Sequence, residues 1–558
     1  MAQATMTPEE EWQKDLRYHD GFFPTEDTNP AGTASRVHRE EIKTTPFFSA
    51  EVLAKVLETS REPGAQTENL LTQYGLLAKV LHTFNSKEDE DTEEAEVQGQ
   101  ASYEEALDPA PDGRGSIPEP EDKRLFVNMN APWSAFICGS QGSGKSHTLS
   151  CMLEAALRQP DLGKLPNPLS AIVFHYDKFN SCSSSQICEA AYLSSSGIPV
   201  KVLVSPSNYK TMKKAYENMP GFPEDAKKPV VAPLVLFEEQ LNLERMMTLM
   251  AAEEKDGKMP LYMESVRSTL RAMAMTMDNE DAHGINFADF EKRIEAVTPN
   301  ENQRTMLDSR IKLLRGFFLK PTTGKPQNGK KKEPDNQQQK DQATVDAYLA
   351  RYADKTIWDF KAGELTIVDL SCPFVEEGAA CALFNICLQL FLEGRQDIGR
   401  LVALDEAHKY MTATSSSSHF TESLLSVVRQ QRHLATRVII ATQEPTISPA
   451  LLDLSSMTIV HRFTSPSWLT VLKSHLAGLS IEGETSKRDI ADVFKQIVKL
   501  EAGQALLFSP SGMTGVDPKS EPNRLKMQKL GVGYLKIGVR ARLTKDGGRS
   551  ILATSLQS

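Results

Sequence analysis

Gly139-Ser140-Gln141-Gly142-Ser143-Gly144-Lys145-Ser146 fills every fixed position of the phosphate-loop pattern G-x-x-x-x-G-K-[ST]. The apolar runs 125–129 and 134–138 before it read as strands, and 147–154 after it reads as a helix. That strand–loop–helix context gives the motif its meaning. Its glycines let the backbone turn tightly, so that N–H groups and the helix N-terminus point at negative charge. Lys145 is placed to reach the outer phosphates of a nucleotide, and the Ser146 hydroxyl to ligate Mg²⁺. The expected nucleotide contacts are Gly139, Ser140, Gln141, Gly142, Ser143, Gly144, Lys145, Ser146 and His147. The expected ligands are ATP and Mg²⁺.

A second half-site lies far downstream. Leu401-Val402-Ala403-Leu404-Asp405-Glu406 is an apolar strand ending in two carboxylates, a common pattern that gains weight behind a P-loop. Asp405 at the strand tip would hold Mg²⁺ through water, and Glu406 would polarise the water that attacks the γ-phosphate. Ile439-Ile440-Ala441-Thr442-Gln443 is another buried strand with an amide at its tip. In a parallel sheet it can lie beside the first, with Gln443 facing the γ-phosphate. Asp405-Glu406-Ala407-His408 also spells the box of the DEAH helicases. The long interval from Lys145, and the lack of a Ser-Ala-Thr motif or a glycine-bearing arginine motif around Arg429–Arg432, speak against that family.

Working outward, strands and helices alternate from Arg124 onward, the pattern of a parallel α/β sheet. Strand-like runs occur at 170–175, 200–204 and 230–237, and resume at 364–371, 400–405, 437–443, 457–461 and 504–508. Between them, 238 to about 320 reads as helices only. Leu243, Met246, Met247, Met250, Val266, Leu270, Met273, Met306, Leu307, Ile311 and Leu314 mark their apolar face, which is expected to be a helical core and not an exposed methionine surface. Residues 322–342 are rich in Lys, Asn, Gln and Pro and read as a solvated loop. Its Lys330-Lys331-Lys332 triplet reads as solvated charge, with a weak nuclear-import signal as the other reading.

The expected organisation is therefore an acidic, mostly disordered arm over 1–120, with helices within 50–84. The first half of the α/β domain spans 121–237, and a helical insertion with its low-complexity loop spans 238–355. The second half spans 356–515, and an extension over 516–558 carries a β-hairpin turning at 545–548.

The chain has 558 residues, 40% of them hydrophobic and 25% charged, with a net charge of −11. That is core enough for one large interrupted domain, and it excludes a protein that coats nucleic acid with a basic surface. The seven cysteines show no C-x-x-C pair and read as buried thiols in a reducing compartment. The acidic beginning carries no secretory signal and no apolar run approaches the ~20 residues that span a bilayer. The expectation is a soluble intracellular protein of cytoplasm or nucleus, with no membrane partner.

Taken in order, these pieces resemble the HerA–FtsK superfamily of DNA-pumping ATPases, and most of all its HerA branch. The resemblance runs from about Phe136 to Phe508. It rests on the P-loop, the strand Leu365-Thr-Ile-Val-Asp-Leu-Ser371, Asp405-Glu406, the run Arg432 to Gln443 with Pro445, Ile459-Val-His-Arg-Phe463 and Ala502-Gly503-Gln504-Ala505-Leu506-Leu507-Phe508. It implies a RecA-like parallel sheet, assembly as a homo-oligomeric hexameric ring, ATP between subunits and an arginine from the neighbour. Arg432 matches by position, and Arg462 is a second candidate. The sequence departs from the family in three places. Residues 1–120 look too polar for the small β-barrel that precedes the P-loop in the HerA branch, His433-Leu434-Ala435 replaces a glycine, and the chain is acidic where a DNA pore must be basic.

The expected function is Mg-dependent ATP hydrolysis coupled to movement of, or along, double-stranded DNA. The alternative is a nucleotide-dependent switch or scaffold that engages a protein partner through the arm or the insertion.

Overall fold

The computed structural model describes residues 33–59, 70–84, 122–158, 161–178, 187–250, 261–276, 285–296, 301–319, 337–352, 354–393, 397–411, 415–475, 484–517 and 526–545. In chain order the first strands are β1 (Phe47–Ser49), β2 (Tyr74–Phe84), β3 (Arg124–Asn128), β4 (Ser134–Cys138), β5 (Gly163–Lys164), β6 (Ser170–His175), β7 (Val200–Val204) and β8 (Val230–Pro233). They are followed by β9 (Leu365–Asp369), β10 (Arg400–Leu404), β11 (Thr436–Thr442), β12 (Met457–Val460), β13 (Gln504–Phe508), β14 (Met513–Val516), β15 (Met527–Lys529) and β16 (Tyr534–Val539).

The heart of the fold is a parallel run ordered β8-β7-β9-β6-β10-β11-β4-β12. Strands buried on both faces read as unbroken apolar text, and β4, β6, β9, β10, β11 and β12 are buried along their whole length. Alternate residues serve opposite cores. Ala135, Ile137, Leu401 and Ala403 pack with the P-loop helix Lys145–Leu157. Phe136, Cys138, Val402 and Leu404 pack on the other face with the helices Glu377–Glu393 and Ser415–Arg429.

The insertion folds as the helices Leu243–Met250, Leu261–Thr276, Phe287–Ala296 and Glu301–Arg315. Met246, Met250, Val266, Leu270 and Met273 are buried in the same core as the sheet's second face, as expected, whereas Met247 is half-buried and Leu243 is exposed. The chain leaves the insertion where it entered. Leu236 N–H donates to Phe317 O, and Leu319 N–H donates to Leu236 O.

Beyond β12 the sheet turns antiparallel, running through β13, β16, β2, β3 and β1, with β14 and β15 beyond. Here the structure corrects the reading of the N-terminal stretch. Ala50–Thr59 is a helix, but 74–84 is strand β2. A register shift between Leu76 and Ala78 puts Leu77 and Ala78 both inward, which breaks the alternation and mimics helical spacing. Pairing with β3 on one side and β16 on the other decides the conformation. The helix Thr33–Thr44 and strand β1 also belong to the stretch read as a disordered arm; its remainder lies outside the described residues.

Gln337–Gln342, expected in a loop, begins the helix Gln337–Tyr352. Gln, Lys and Ala are good helix formers, and Leu349 anchors this helix against Val235 and Phe237. The expected C-terminal hairpin turns at 545–548, and all but Lys545 of that turn and its return strand lie outside the described residues; its first strand is β16, which pairs with β13 and β2. Among the described residues, no helix is long and apolar enough to cross a membrane.

Candidate nucleotide site

The candidate residues gather at the C-terminal ends of the parallel strands, where open α/β sheets place ligands. The P-loop follows β4. Gly144 caps its helix in a left-handed conformation at φ 112°, which favours glycine. Gly139 is required by space, since a Cβ there would lie 2.7 Å from both Ser143 Oγ and His461 Cβ. The loop is braced from within and from behind. Ser143 Oγ donates to Ser140 O at 2.7 Å, and Ser140 N–H and Oγ donate to Arg462 O at 2.9 and 2.8 Å.

Beneath the loop, His461 is fully buried. Its Nδ1 lies 2.9 Å from Gln504 O and its Nε2 2.9 Å from Thr148 Oγ1. A carbonyl can only accept, so Nδ1 carries the proton and Nε2 accepts from the threonine. Burial pushes the ring's pKa down to about 4, so it is neutral.

Lys145 is buried, with Nζ donating to Ser140 O at 3.1 Å. Burial pulls its pKa below the ordinary value, against Glu406 and Asp405, which pull it up. The one cation in the cradle therefore faces the two carboxylates expected from sequence. A phosphate, richer in acceptors than one carbonyl, fits this cradle.

Strand β11 lies between β4 and β10, so Gln443 leaves the sheet between the P-loop and the carboxylates. Gln443 Nε2 donates to Glu406 Oε2 at 2.9 Å. Glu406 itself is left-handed at φ 50°, one of two such non-glycine residues among those described. A strained backbone at a strand tip is the kind retained where a side chain must be aimed. His408 Nδ1 lies 3.4 Å from both Gln443 N and Glu406 Oε2. Burial lowers its pKa, so the neutral ring accepts from the Gln443 N–H.

Asp405 is buried, and its Oδ1 has no hydrogen-bond partner. Burial raises its pKa, but His175, Lys409 and Lys145 outweigh it and hold the carboxyl below its ordinary range. An ionised buried carboxylate with a spare oxygen suits a cation or its bound water. Together with Ser146 at the start of the helix, it makes the residues present fit a Mg²⁺ ion.

The structure does not bring the two arginines into this cluster. Arg432 is exposed on the turn that feeds the N-terminal end of β11, the end opposite Gln443. Arg462 is exposed beside the P-loop, which it meets through its carbonyl. Sequence reasoning missed the support residues. His175 was visible only as the end of a strand, His461 only as part of a resemblance, and Cys188 as one buried thiol among seven.

No family model matches this chain, and no curated protein matches it. Among solved structures, it is similar to VirB4 of Thermoanaerobacter pseudethanolicus at 13% identity and TM-score 0.39, over 74% of this chain and 90% of that one. The bacterial conjugative coupling protein TrwBdeltaN70 matches at 10% identity and TM-score 0.33, over 70% and 87%. The genome packaging NTPase B204 from Sulfolobus turreted icosahedral virus 2 matches at 13% and TM-score 0.20, over 28% and 67%. Overlays this loose decide nothing about activity; the strand order and the loop geometry decide the fold. The chain has the RecA-like α/β fold of P-loop NTPases, with strand β11 inserted between β4 and β10.

Proposed function

We propose that this chain is a Mg-dependent ATPase of HerA–FtsK type that couples hydrolysis to movement of double-stranded DNA, working as a homo-oligomeric, hexameric ring. The observation that carries the reading is the Gln443–Glu406 hydrogen bond on a strand inserted between the P-loop and the Asp405-Glu406 tip. That arrangement lets one amide sense the γ-phosphate and aim the base. Gly139 to His147 bind the phosphates, with Lys145 as their cation. Mg²⁺ supplies charge neutralisation when bound, held by Ser146 and through water by Asp405. Glu406 takes the proton of the attacking water, and Arg432 or Arg462 of a neighbouring copy completes the pocket.

A second reading is favoured by the net charge of −11, which disfavours a DNA-lined pore: a nucleotide-dependent switch that acts on a protein partner. Steady-state ATP hydrolysis with and without linear double-stranded DNA separates the two, with Glu406→Gln as blank. Strong stimulation that weakens with added salt supports translocation. Turnover indifferent to DNA sinks translocation and leaves the switch.

A further inference from the structure

We propose that His175, Cys188 and Asp405 form a binding site for one soft divalent cation of the zinc class, beside the nucleotide pocket. The three residues come from the tip of β6, the residue before the 3-10 turn Glu189–Ser196 and the residue after β10. All three are buried, and one donor atom from each lies within 4.8 Å of the other two.

The two edges that meet at Asp405 have the spacing of a coordination shell. Zinc–ligand distances of about 2.0–2.2 Å for nitrogen and oxygen and about 2.3 Å for sulfur give tetrahedral N···O edges near ~3.4 Å and S···O edges near ~3.6 Å. The observed edges are 3.3 Å for His175 Nδ1 to Asp405 Oδ2 and 3.7 Å for Cys188 Sγ to Asp405 Oδ2. The second observation is the state of the donors. His175 is 2% exposed, yet neither ring nitrogen makes a hydrogen bond of good geometry, and Asp405 Oδ1 makes none. The Nδ1 contact with Asp405 is close but misaligned for a shared proton. A buried imidazole left in that state is costly, and a cation between the three groups removes the cost.

Charge balance agrees. Binding releases the Cys188 thiol proton to solvent and forms a sulfur–metal bond, with no change in oxidation state. Thiolate and carboxylate together then cancel the charge of a divalent ion, the favourable condition for a buried site. Soft sulfur with imidazole selects zinc over magnesium.

The surroundings are fixed accordingly. Tyr216 Oη accepts from the Cys188 N–H at 3.1 Å and donates to Asp369 Oδ2 at 2.5 Å. Asp369 stands level with His175 on the adjacent strand β9, and Asp405 directly follows Leu404, which pairs with Phe174. Three protein ligands leave a fourth position open. Asp405 is shared: Oδ2 faces this site, and Oδ1 is left for the nucleotide's metal.

The test needs no nucleotide, so its failure is distinct from failure of the ATPase reading. Full-length protein is stripped with a chelator under reducing conditions and titrated with Co²⁺. The expected result is one Co²⁺ per chain, a near-ultraviolet thiolate-to-cobalt band, and displacement by one equivalent of Zn²⁺. Cys188→Ser should abolish the band, His175→Asn should weaken binding at least about tenfold, and Cys372→Ser should leave the band intact. Circular dichroism checks that the variants fold, and the wild-type titration stands without them. Wild-type protein that shows no band, or a band that survives Cys188→Ser, overturns the site.

Discussion

Gln443 Nε2 donates to Glu406 Oε2 across 2.9 Å, joining the tips of neighbouring strands β11 and β10. The amide fixes the carboxylate that faces the phosphate pocket, and its oxygen remains free for the attacking water. Gln443→Ala is expected to lower turnover about 10²-fold or more while nucleotide affinity stays within a few fold. Glu406→Gln should bind ATP and lose about 10²–10⁴-fold in rate. Single-turnover hydrolysis alongside equilibrium binding checks both. Normal turnover by Glu406→Gln would remove the base from the scheme.

Gly139→Ala tests the loop itself. The new methyl would meet Ser143 Oγ and His461 Cβ, each at 2.7 Å, and His461 is pinned at both ring nitrogens. Neither neighbour can give way cheaply, so the loop opens and the cradle is lost. Binding of a fluorescent ATP analogue should weaken at least about tenfold, as for Lys145→Ala, which removes a charge-assisted contact. Affinity unchanged in Gly139→Ala would mean that the cradle is not the binding surface.

The two halves of this site were legible in the sequence for different reasons. The P-loop needs glycine, lysine and serine at fixed offsets within one turn, so Gly139 to Ser146 announce themselves. Glu406 and Gln443 were legible because each ends an apolar run, and buried parallel strands leave such runs unmistakable. What stayed hidden depends on pairing between distant segments. Leu77 and Ala78 point the same way only because of a bulge against β3, and no local rule sets that register. His175 faces Asp405 only because β6 and β10 are neighbours, which neither segment encodes alone. The C-terminal strand was recognised as β, but its partners β13 and β2 were not.

Arg432 lies at one end of β11 and Gln443 at the other. Seven residues of strand span more than ~20 Å, so Arg432 cannot serve its own pocket. If it serves a neighbour's, Arg432→Ala should bind ATP and lose about 10³-fold or more in hydrolysis. Mixing it with Lys145→Ala should restore part of the activity, because Lys145→Ala copies supply the arginine to intact pockets. Mixtures as inactive as their components would retire Arg432 in favour of Arg462.

Glu154 holds the C-terminal segment to the P-loop helix. It is fully buried and accepts from Arg540 Nη1 and Thr544 Oγ1 at 2.7 Å each, and from the Thr544 N–H at 2.9 Å. Burial raises its pKa, but Thr544 and Arg540 outweigh that and leave it below the ordinary value. Glu154→Ala leaves a largely buried arginine without its partner, at a cost of about 3–5 kcal/mol. Urea denaturation should show the unfolding free energy fall by that amount, through a lower midpoint with no change of slope. A loss under about 1 kcal/mol would put the pair in the range of an exposed ion pair and refute the latch.

His461 sets an acid limit on stability. Its folded pKa is lowered from 6.5 to about 4, chiefly by burial and against the Gln504 hydrogen bond, which raises it; only the neutral ring can accept from Thr148 Oγ1. The unfolded chain therefore binds a proton at this residue between those values, and the folded chain does not. By linkage, the contribution of His461 is intact above pH 6.5 and is lost as pH falls toward about 4. The full loss is about 3 kcal/mol, since one pKa unit is about 1.4 kcal/mol. His461→Gln should start less stable at neutral pH and lose less between those pH values. Parallel stability curves for wild type and variant across that window would show that the imidazole is not the group responsible.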